Sequence, residues 1–498
     1  MGIEYSWTKE RAIGVMMHIS CLPGGQGIGC FDEHAYQFID FLGAAGIQFW
    51  QVCPLTPTGY GDSPYQGLSS FALNPYFVNL RELDIDISFE NLNHHPDRVS
   101  FGEIYSLFQG IQGKISQNFP RSERDNLQHF RRSTPWLRPY ALFVALKQYF
   151  QGKAWSQWPK PYREYAKIRG TQLPPSVLSA VESQEILQYL AHQQWQKLKH
   201  YAQEKGVKII GDIPIYPGFD SADVWSEPKN FQLDGDLNPT RIAGVPPDYF
   251  SENGQLWGNP LYDWSFLGKN NYDWWRRRIA RNGELFDVLR LDHFRGFERY
   301  WSVPQGAGTA RNGRWEKGPG EKLFYFLGDK PFIAEDLGEL DENVPILMEK
   351  LHFPGMKVLQ FAFSNDAGNI YLPHYHKPFS VLYLGTHDND TLLGWYGQLD
   401  PSTKDQIRRY FAIGDQDVSW KFLTEIYRSP CFLGIICVQD LLQLGSEGRF
   451  NTPGTEHNNW QWRMTESQFS TLKSRAAQLR DYGILYNRNS ACNATKNN

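Results

Sequence analysis

Ile186-Leu-Gln-Tyr-Leu-Ala-His-Gln-Gln-Trp-Gln-Lys-Leu-Lys-His-Tyr-Ala-Gln-Glu-Lys205-Gly206-Val207-Lys-Ile-Ile-Gly-Asp-Ile-Pro-Ile-Tyr216 reads as a helix, a stop and a buried strand. Ile186, Leu190, Trp195, Leu198, Tyr201 and Ala202 form one apolar stripe at helical spacing. Gly206 ends the helix, and the apolar, β-branched run from Val207 follows at once. Similar apolar runs recur at Ile13–Ile19, Ile47–Leu55, Val288–Phe294, Phe332–Leu337, Met356–Phe361, Val381–Gly385 and Leu433–Leu442. A second helix is predicted over Phe31–Leu42, stopped by Gly46. Eight strands alternating with helices point to a parallel α/β barrel, with a doubly wound open sheet as the alternative.

The alternation lapses twice. Residues 56–206 scatter Pro, Trp and charge, and 217–286 are rich in Gly, Asn, Pro and Trp. Both are expected to be subdomains inserted at the carboxyl ends of strands, where barrels build binding surfaces. The polar tail Asn487–Asn498 is expected to fray.

Bulk properties exclude several classes. A net charge of −4 over 498 residues gives no field that seeks polyphosphate, so nucleic acid is not an expected partner. No uncharged apolar run spans a bilayer, and the first thirty residues lack a signal-peptide core. The six cysteines include no Cys-x-x-Cys pair, which fits a reducing cytoplasm better than a disulfide scaffold or a zinc site. Aromatic residues make up 15%, enough to supply flat faces that stack on sugar rings, although packing accounts for such a content equally well.

Three of the apolar runs end in an acid: Asp292 after Val288-Leu-Arg-Leu, Glu335 after Phe332-Ile-Ala, and Asp388 after Val381-Leu-Tyr-Leu-Gly-Thr-His. In a barrel these would converge at one rim, and paired carboxyl groups there suit the breaking and making of glycosidic bonds. Arg290 shares a strand face with Asp292 and favours its ionised form; by itself the pair reads equally as a structural ion pair. The apolar surround of Glu335 raises its pKa, as a general acid requires. Asp336 points to the opposite face and reads as structural. His387-Asp-Asn-Asp390 reads either as a site or as a hydrogen-bonded turn.

Gly24-Gly-Gln-Gly-Ile-Gly29 fails the dinucleotide fingerprint, because Cys30 or Gln26 occupies a required glycine position. It is expected to be a flexible turn covering substrate. Gly59–Gln66 and Gly244–Pro260 mix aromatic, amide, hydroxyl and carboxylate groups on kinked backbone, a composition that suits either sugar-binding loops or packed connections.

Taken together, Met16–Gly24, Tyr60-Gly-Asp-Ser-Pro-Tyr65, Gly211-Asp-Ile-Pro-Ile-Tyr216, Leu291-Asp-His-Phe-Arg-Gly296, Ala334-Glu-Asp-Leu-Gly338, Thr386-His-Asp-Asn-Asp390 and Asn451–Trp460 resemble the amylomaltase family of 4-α-glucanotransferases (disproportionating enzymes, glycoside hydrolase family 77). The resemblance implies a (β/α)8 TIM barrel with inserted subdomains and no C-terminal β-domain. It implies Asp292 as nucleophile, Glu335 as general acid/base and Asp388 as the third carboxylate. It implies substrate contacts from Tyr60, Asp212, Arg290 and His387, an acceptor side at Asp248 and Trp257, and a further contact at Asn458. The implied substrates are α-1,4-glucans and maltooligosaccharides. No cofactor and no metal are expected, since Ile-Pro-Ile-Tyr follows Asp212 where α-amylases carry a calcium-binding Asn-His pair. A monomer or weak homo-oligomer is expected. The same carboxylates would also serve an α-glucan hydrolase or branching enzyme, and a silent glucan-binding barrel is the reading without chemistry.

Overall fold

The computed structural model describes residues 6–83, 85, 87, 89, 92, 95–168, 171–247, 251–328, 330–338, 341–455 and 457–488. Each of the eight apolar runs carries a strand: β1 (Ala12–Met16), β2 (Phe49–Gln51), β3 (Lys208–Ile213), β4 (Val288–Leu291), β5 (Phe332–Ala334), β6 (Gly355–Val358), β7 (Ser380–Tyr383) and β8 (Leu433–Cys437). They pair in parallel in the order β6-β7-β8-β1-β2-β3-β4-β5, so chain order is also sheet order.

The two ends of that order meet at β5 and β6. There the Ala334 N–H donates to Pro354 O (2.9 Å) and the Met356 N–H donates to Asp336 Oδ1 (2.6 Å). A carboxylate thus accepts an N–H at the closing seam, which is the structural role expected of Asp336. Gly355 fits this seam because a Cβ there would lie 2.5 Å from Asp336 Oδ2. The result is a closed (β/α)8 barrel.

Alternation sorts each strand. Ile210, Val288, Ile333, Met356, Val381 and Ile435 fill an apolar interior. Two residues further along, on the same faces, come Asp212 and Arg290, which are register partners across β3 and β4. The outward residues meet the helices: Trp50 packs on Phe38 of helix Glu33–Ala44 at 5.1 Å. Asp32 caps that helix at its start, and Gly46 turns with φ +68° just past its end.

The predicted helix ending at Lys205 is longer than its stripe indicated. It runs Pro175–Glu204, and its buried Gln188 and Gln194 bond the backbone of Leu73 and Asn79. Glutamines thereby satisfy a loop that would otherwise bury unpaired amides. Helices Asp273–Leu285, Glu321–Leu327 and Asn343–Leu351 form the next crossovers. Between β6 and β7 the described residues form only short 3-10 turns, Leu359–Phe361 and Pro373–Tyr375, so one unit of the strand-helix repeat lacks its helix. After β8 the described residues contain helices and turns but no strand.

Helices Phe101–Asn118, Arg124–Ser133 and Leu137–Tyr149 lie in the excursion after β2. Beyond β3 stands an antiparallel sheet ordered Gln255–Pro260, Arg241–Val245, Arg299–Pro304 and Arg314–Lys317. Half of it comes from chain after β4, where the sequence predicts no excursion.

Two local expectations are corrected. The Gly24–Gly29 segment is not a flexible turn. Gln26 is buried, with its side chain bonded to Val78 O (2.9 Å) and to the Leu80 N–H (3.1 Å), and a Cβ on Gly29 would strike Ile19 O. Nor does the tail fray from Asn487. Arg488 is fully buried and donates to the carbonyl oxygens of Ala12, Tyr427, Ser429, Phe432 and Cys431, at distances from 2.6 to 3.3 Å. It ties the chain end beneath β1 and β8; residues 489–498 lie outside the described residues.

Arg488→Met is expected to destabilise the fold by about 2–4 kcal/mol, because buried carbonyls lose charged donors while relief of the arginine's own desolvation offsets part of the loss. Urea denaturation of the variant checks this; an unchanged midpoint would contradict it.

Candidate active site

The carboxyl ends of β3, β4, β5 and β7 deliver a connected charge cluster. Arg290 lies at its base. Its Nη1 donates to both oxygens of Asp212 (2.8 and 2.6 Å) and to Asp292 Oδ1 (2.9 Å). The Arg290 and Asp212 side chains are only 4% and 1% exposed, whereas Asp292 is 28% exposed. The Arg290–Asp212 pair is thus buried, and Asp292 is the member of the three that reaches solvent. Burial alone would favour loss of the guanidinium proton; Asp212 and then Asp292 outweigh it and hold Arg290 charged.

Glu335 sits on the other side of the Asp292–His293 segment. Its Oε2 accepts the His293 N–H (2.7 Å) and its Oε1 accepts the Leu337 N–H (2.8 Å). His293 adopts a left-handed φ of +50°, uncommon for a non-glycine residue. Burial, then the charge of Asp292, pushes the Glu335 carboxyl up to about 7 against the pull of Arg290. Glu335 can therefore hold a proton near neutral pH, on the strand next to the one that ends at Asp292.

Asp388 is the most open of the three, with a side chain 45% exposed. Its Oδ1 accepts from Asn451 Nδ2 (2.6 Å), and its backbone oxygen accepts from Arg449 (3.0 Å). His387 Nε2 lies 3.4 Å from Asp388 Oδ1. Asn389 closes the turn by accepting from the Thr386 N–H at 2.9 Å, and Asp390 accepts from Ser446 and Gln398. The segment is a hydrogen-bonded turn, and that turn sets His387 beside the partly exposed Asp388.

Several participants were missed in the sequence. Tyr65 donates to Asp212 Oδ2 (2.8 Å), and its ring stacks on His387 at 4.8 Å. Trp460 backs both rings, 5.7 Å from Tyr65 and 5.9 Å from His387. Tyr65 lies in the same motif as Tyr60, and nothing in the spacing told the two apart. Asn451 and Trp460 bracket Asn458, which is itself exposed on a left-handed turn (φ +62°).

Trp257 is half-buried and meets the His293 ring edge-on at 4.7 Å. It therefore stands beside the Asp292 and Glu335 pair. Asp248 and the side chain of Tyr60 lie outside the described residues. Among the described residues, no group of three or more His, Cys, Asp or Glu side chains could hold a metal ion.

The profile of the family described as 4-alpha-glucanotransferase matches residues 17–469. The chain is 42% identical over 469 residues to a 4-alpha-glucanotransferase of Clostridium butyricum, covering 91% of this chain and 96% of that protein. It is 42% identical over 483 residues to the enzyme of the same name from Thermus thermophilus, covering 92% and 96%. The solved amylomaltase of Streptococcus agalactiae in complex with acarbose superposes with a TM-score of 0.91 at 37% identity, covering 97% of this chain and all of that one. The Corynebacterium glutamicum amylomaltase shares the fold with a TM-score of 0.78 at 17% identity, covering 97% of this chain and 76% of that one. Barrel, cleft and near end-to-end similarity converge: the chain belongs to the 4-alpha-glucanotransferase family, enzymes that transfer segments of α-1,4-glucans.

Proposed function

We propose that transfer proceeds by a retaining double displacement carried by Asp292 and Glu335. Glu335 protonates the leaving glycosidic oxygen while Asp292 attacks the anomeric carbon, giving a covalent glycosyl-enzyme and a released glucan. The 4-hydroxyl of an acceptor then attacks that carbon. Glu335 takes its proton, Asp292 departs and the α-linkage is restored. The observation that carries this reading is a Glu335 carboxyl pushed up to about 7 beside an Asp292 that accepts from Arg290 Nη1 at 2.9 Å.

In this reading Asp388 and His387 grip hydroxyls of the reacting glucose. Arg290 and Asp212 fix the nucleophile from beneath, which their burial favours. Tyr60 and Asn458 are further substrate contacts, and Trp257 with Asp248 forms the acceptor side. The excursions 56–206 and 217–286 are the walls of the groove. An acceptor sugar held against aromatic walls reacts as a neighbour and excludes water, which favours transfer over hydrolysis. The enzyme acts in the cytoplasm as a monomer or weak homo-oligomer, without nucleic acid or membrane; its five described cysteines, all free thiols, accord with a reducing compartment.

Incubation with maltotriose tests the choice of acceptor. The expected products are glucose and a ladder of longer maltooligosaccharides; reducing ends that rise with no longer products would support a hydrolase instead. The pH profile tests the acid. Because the protonated form is the competent one, kcat/KM on maltotriose is expected to fall about tenfold per unit above a pH near 7. A profile flat to pH 9 would remove Glu335 from that role.

A further inference from the structure

Asp388 differs from the other two acids in how it is held. Asp292 has Arg290 two residues before it on the same strand, and Glu335 accepts two backbone N–H groups. Asp388 sits partly exposed on a turn beyond β7, and the amide bonded to its carboxylate comes from 63 residues further along, in the chain after β8.

Two residues of that later segment close a cycle of bonds around it. Arg449 Nη2 donates to Asp388 O (3.0 Å), and Arg449 Nε donates to Asn451 O (2.9 Å). Asn451 Nδ2 then donates to Asp388 Oδ1 (2.6 Å). One guanidinium thus fixes the backbone of both residues, and the amide fixes the carboxylate between them. Because a carboxylate only accepts, the amide nitrogen is the atom that must face it. His387 Nε2 lies nearest the same oxygen, at 3.4 Å. Among the described residues Oδ2 has no hydrogen-bond partner, which leaves it for a sugar hydroxyl.

The Asn451 amide is not what closes its own loop. The Trp460 N–H donates to Phe450 O (2.7 Å), while Asn459 accepts from the Thr452 N–H and donates to Thr455 O, both at 2.9 Å. The loop 450–460 is therefore tied at its ends and across its middle without the Asn451 side chain, which reaches Asp388 instead.

A partly exposed carboxylate free to turn about its side-chain torsions would meet the reacting sugar in many orientations. A charge-assisted bond set in advance removes that freedom before substrate arrives. We propose that Asn451 and Arg449 are positioning residues for Asp388, which together hold its carboxylate toward the reacting glucose. The proposal rests on the sugar-gripping role of Asp388 in the cleft reading and names what sets it.

The test compares Asn451→Ala, Asn451→Asp, Arg449→Lys and Asp388→Asn in maltotriose disproportionation, with thermal midpoints alongside. Asn451→Ala is expected to lower kcat about tenfold to a hundredfold while KM changes by less than about threefold, the split expected when a hydrogen bond to a charged group matters in the transition state. Asn451→Asp keeps the shape of the side chain but turns an acceptor and a negative charge toward Asp388, so it is expected to be at least as impaired as Asn451→Ala. A residue that only filled the loop would give the opposite order. Arg449→Lys, whose ammonium lacks the planar fork that spans two carbonyl oxygens, is expected to lose kcat in the same direction. Wild-type kcat in Asn451→Ala, or an Asn451→Asp more active than Asn451→Ala, would overturn the proposal. Should the alanine variant not fold, the isosteric Asn451→Asp decides alone, and wild-type kcat there would overturn it. Asp388→Asn turning over at the wild-type rate would instead strike the role of Asp388. An inactive Asp388→Asn beside a fully active Asn451→Ala would strike the positioning and leave the cleft reading intact.

Discussion

Asp292→Asn is expected to lower maltotriose disproportionation by on the order of 10⁴-fold or more, since an amide cannot form the covalent intermediate and no neighbouring group replaces it. The variant should fold. Arg290 keeps both bonds to Asp212, and Asp292 is the partly exposed member of the cluster, so little buried charge is orphaned. Loss of activity with an unchanged thermal midpoint and retained maltooligosaccharide binding is the expected combination. Turnover at the wild-type rate would remove Asp292 from the chemistry and with it the double displacement.

Arg290→Met is expected to damage both stability and catalysis. Arg290 is the cation between Asp212 and Asp292, and Asp212 is almost wholly buried. Without it, Asp212 would keep only the Tyr65 hydroxyl bond at 2.8 Å and face the Asp292 charge. Breaking a buried pair from one side costs about 3–5 kcal/mol, readable in urea denaturation. The double variant Arg290→Met/Asp212→Leu separates the two effects. It should recover part of the stability, because the orphaned charge is gone, but none of the activity, because Asp292 still lacks its partner. If stability and activity returned together, Arg290 would be a fold element rather than a support of the nucleophile.

The barrel was legible for a physical reason. Strands of a parallel barrel are covered on both faces, so each reads as a short continuous apolar run. Asp292, Glu335 and Asp388 stood out because a carboxylate ending such a run must face either the cleft or an uncompensated burial. The opposite held for the Arg299–Pro304 and Arg314–Lys317 strands, which are short and half-polar: the first pairs with Arg241–Val245 on the other side of β4, and the second adds to its far edge. The glycine-rich turn misled because glycine signals flexibility in isolation. Here Gly29 is required by close packing against Ile19 O, and Gln26 pins the segment.

By itself, then, the sequence determined the order of the eight barrel strands, the three acids that follow them and the family, because periodicity, run length and motif order are local properties of the chain. Tertiary structure decided which neighbours set those acids apart. Tyr65 meets His387 across 322 residues, Asn451 meets Asp388 across 63, and Arg488 reaches Ala12 across 476. Charge, hydrogen bonding and desolvation act over a few ångströms of space. The pKa of Glu335, the support of Asp292 and the clamp on Asp388 therefore exist only once the barrel has closed.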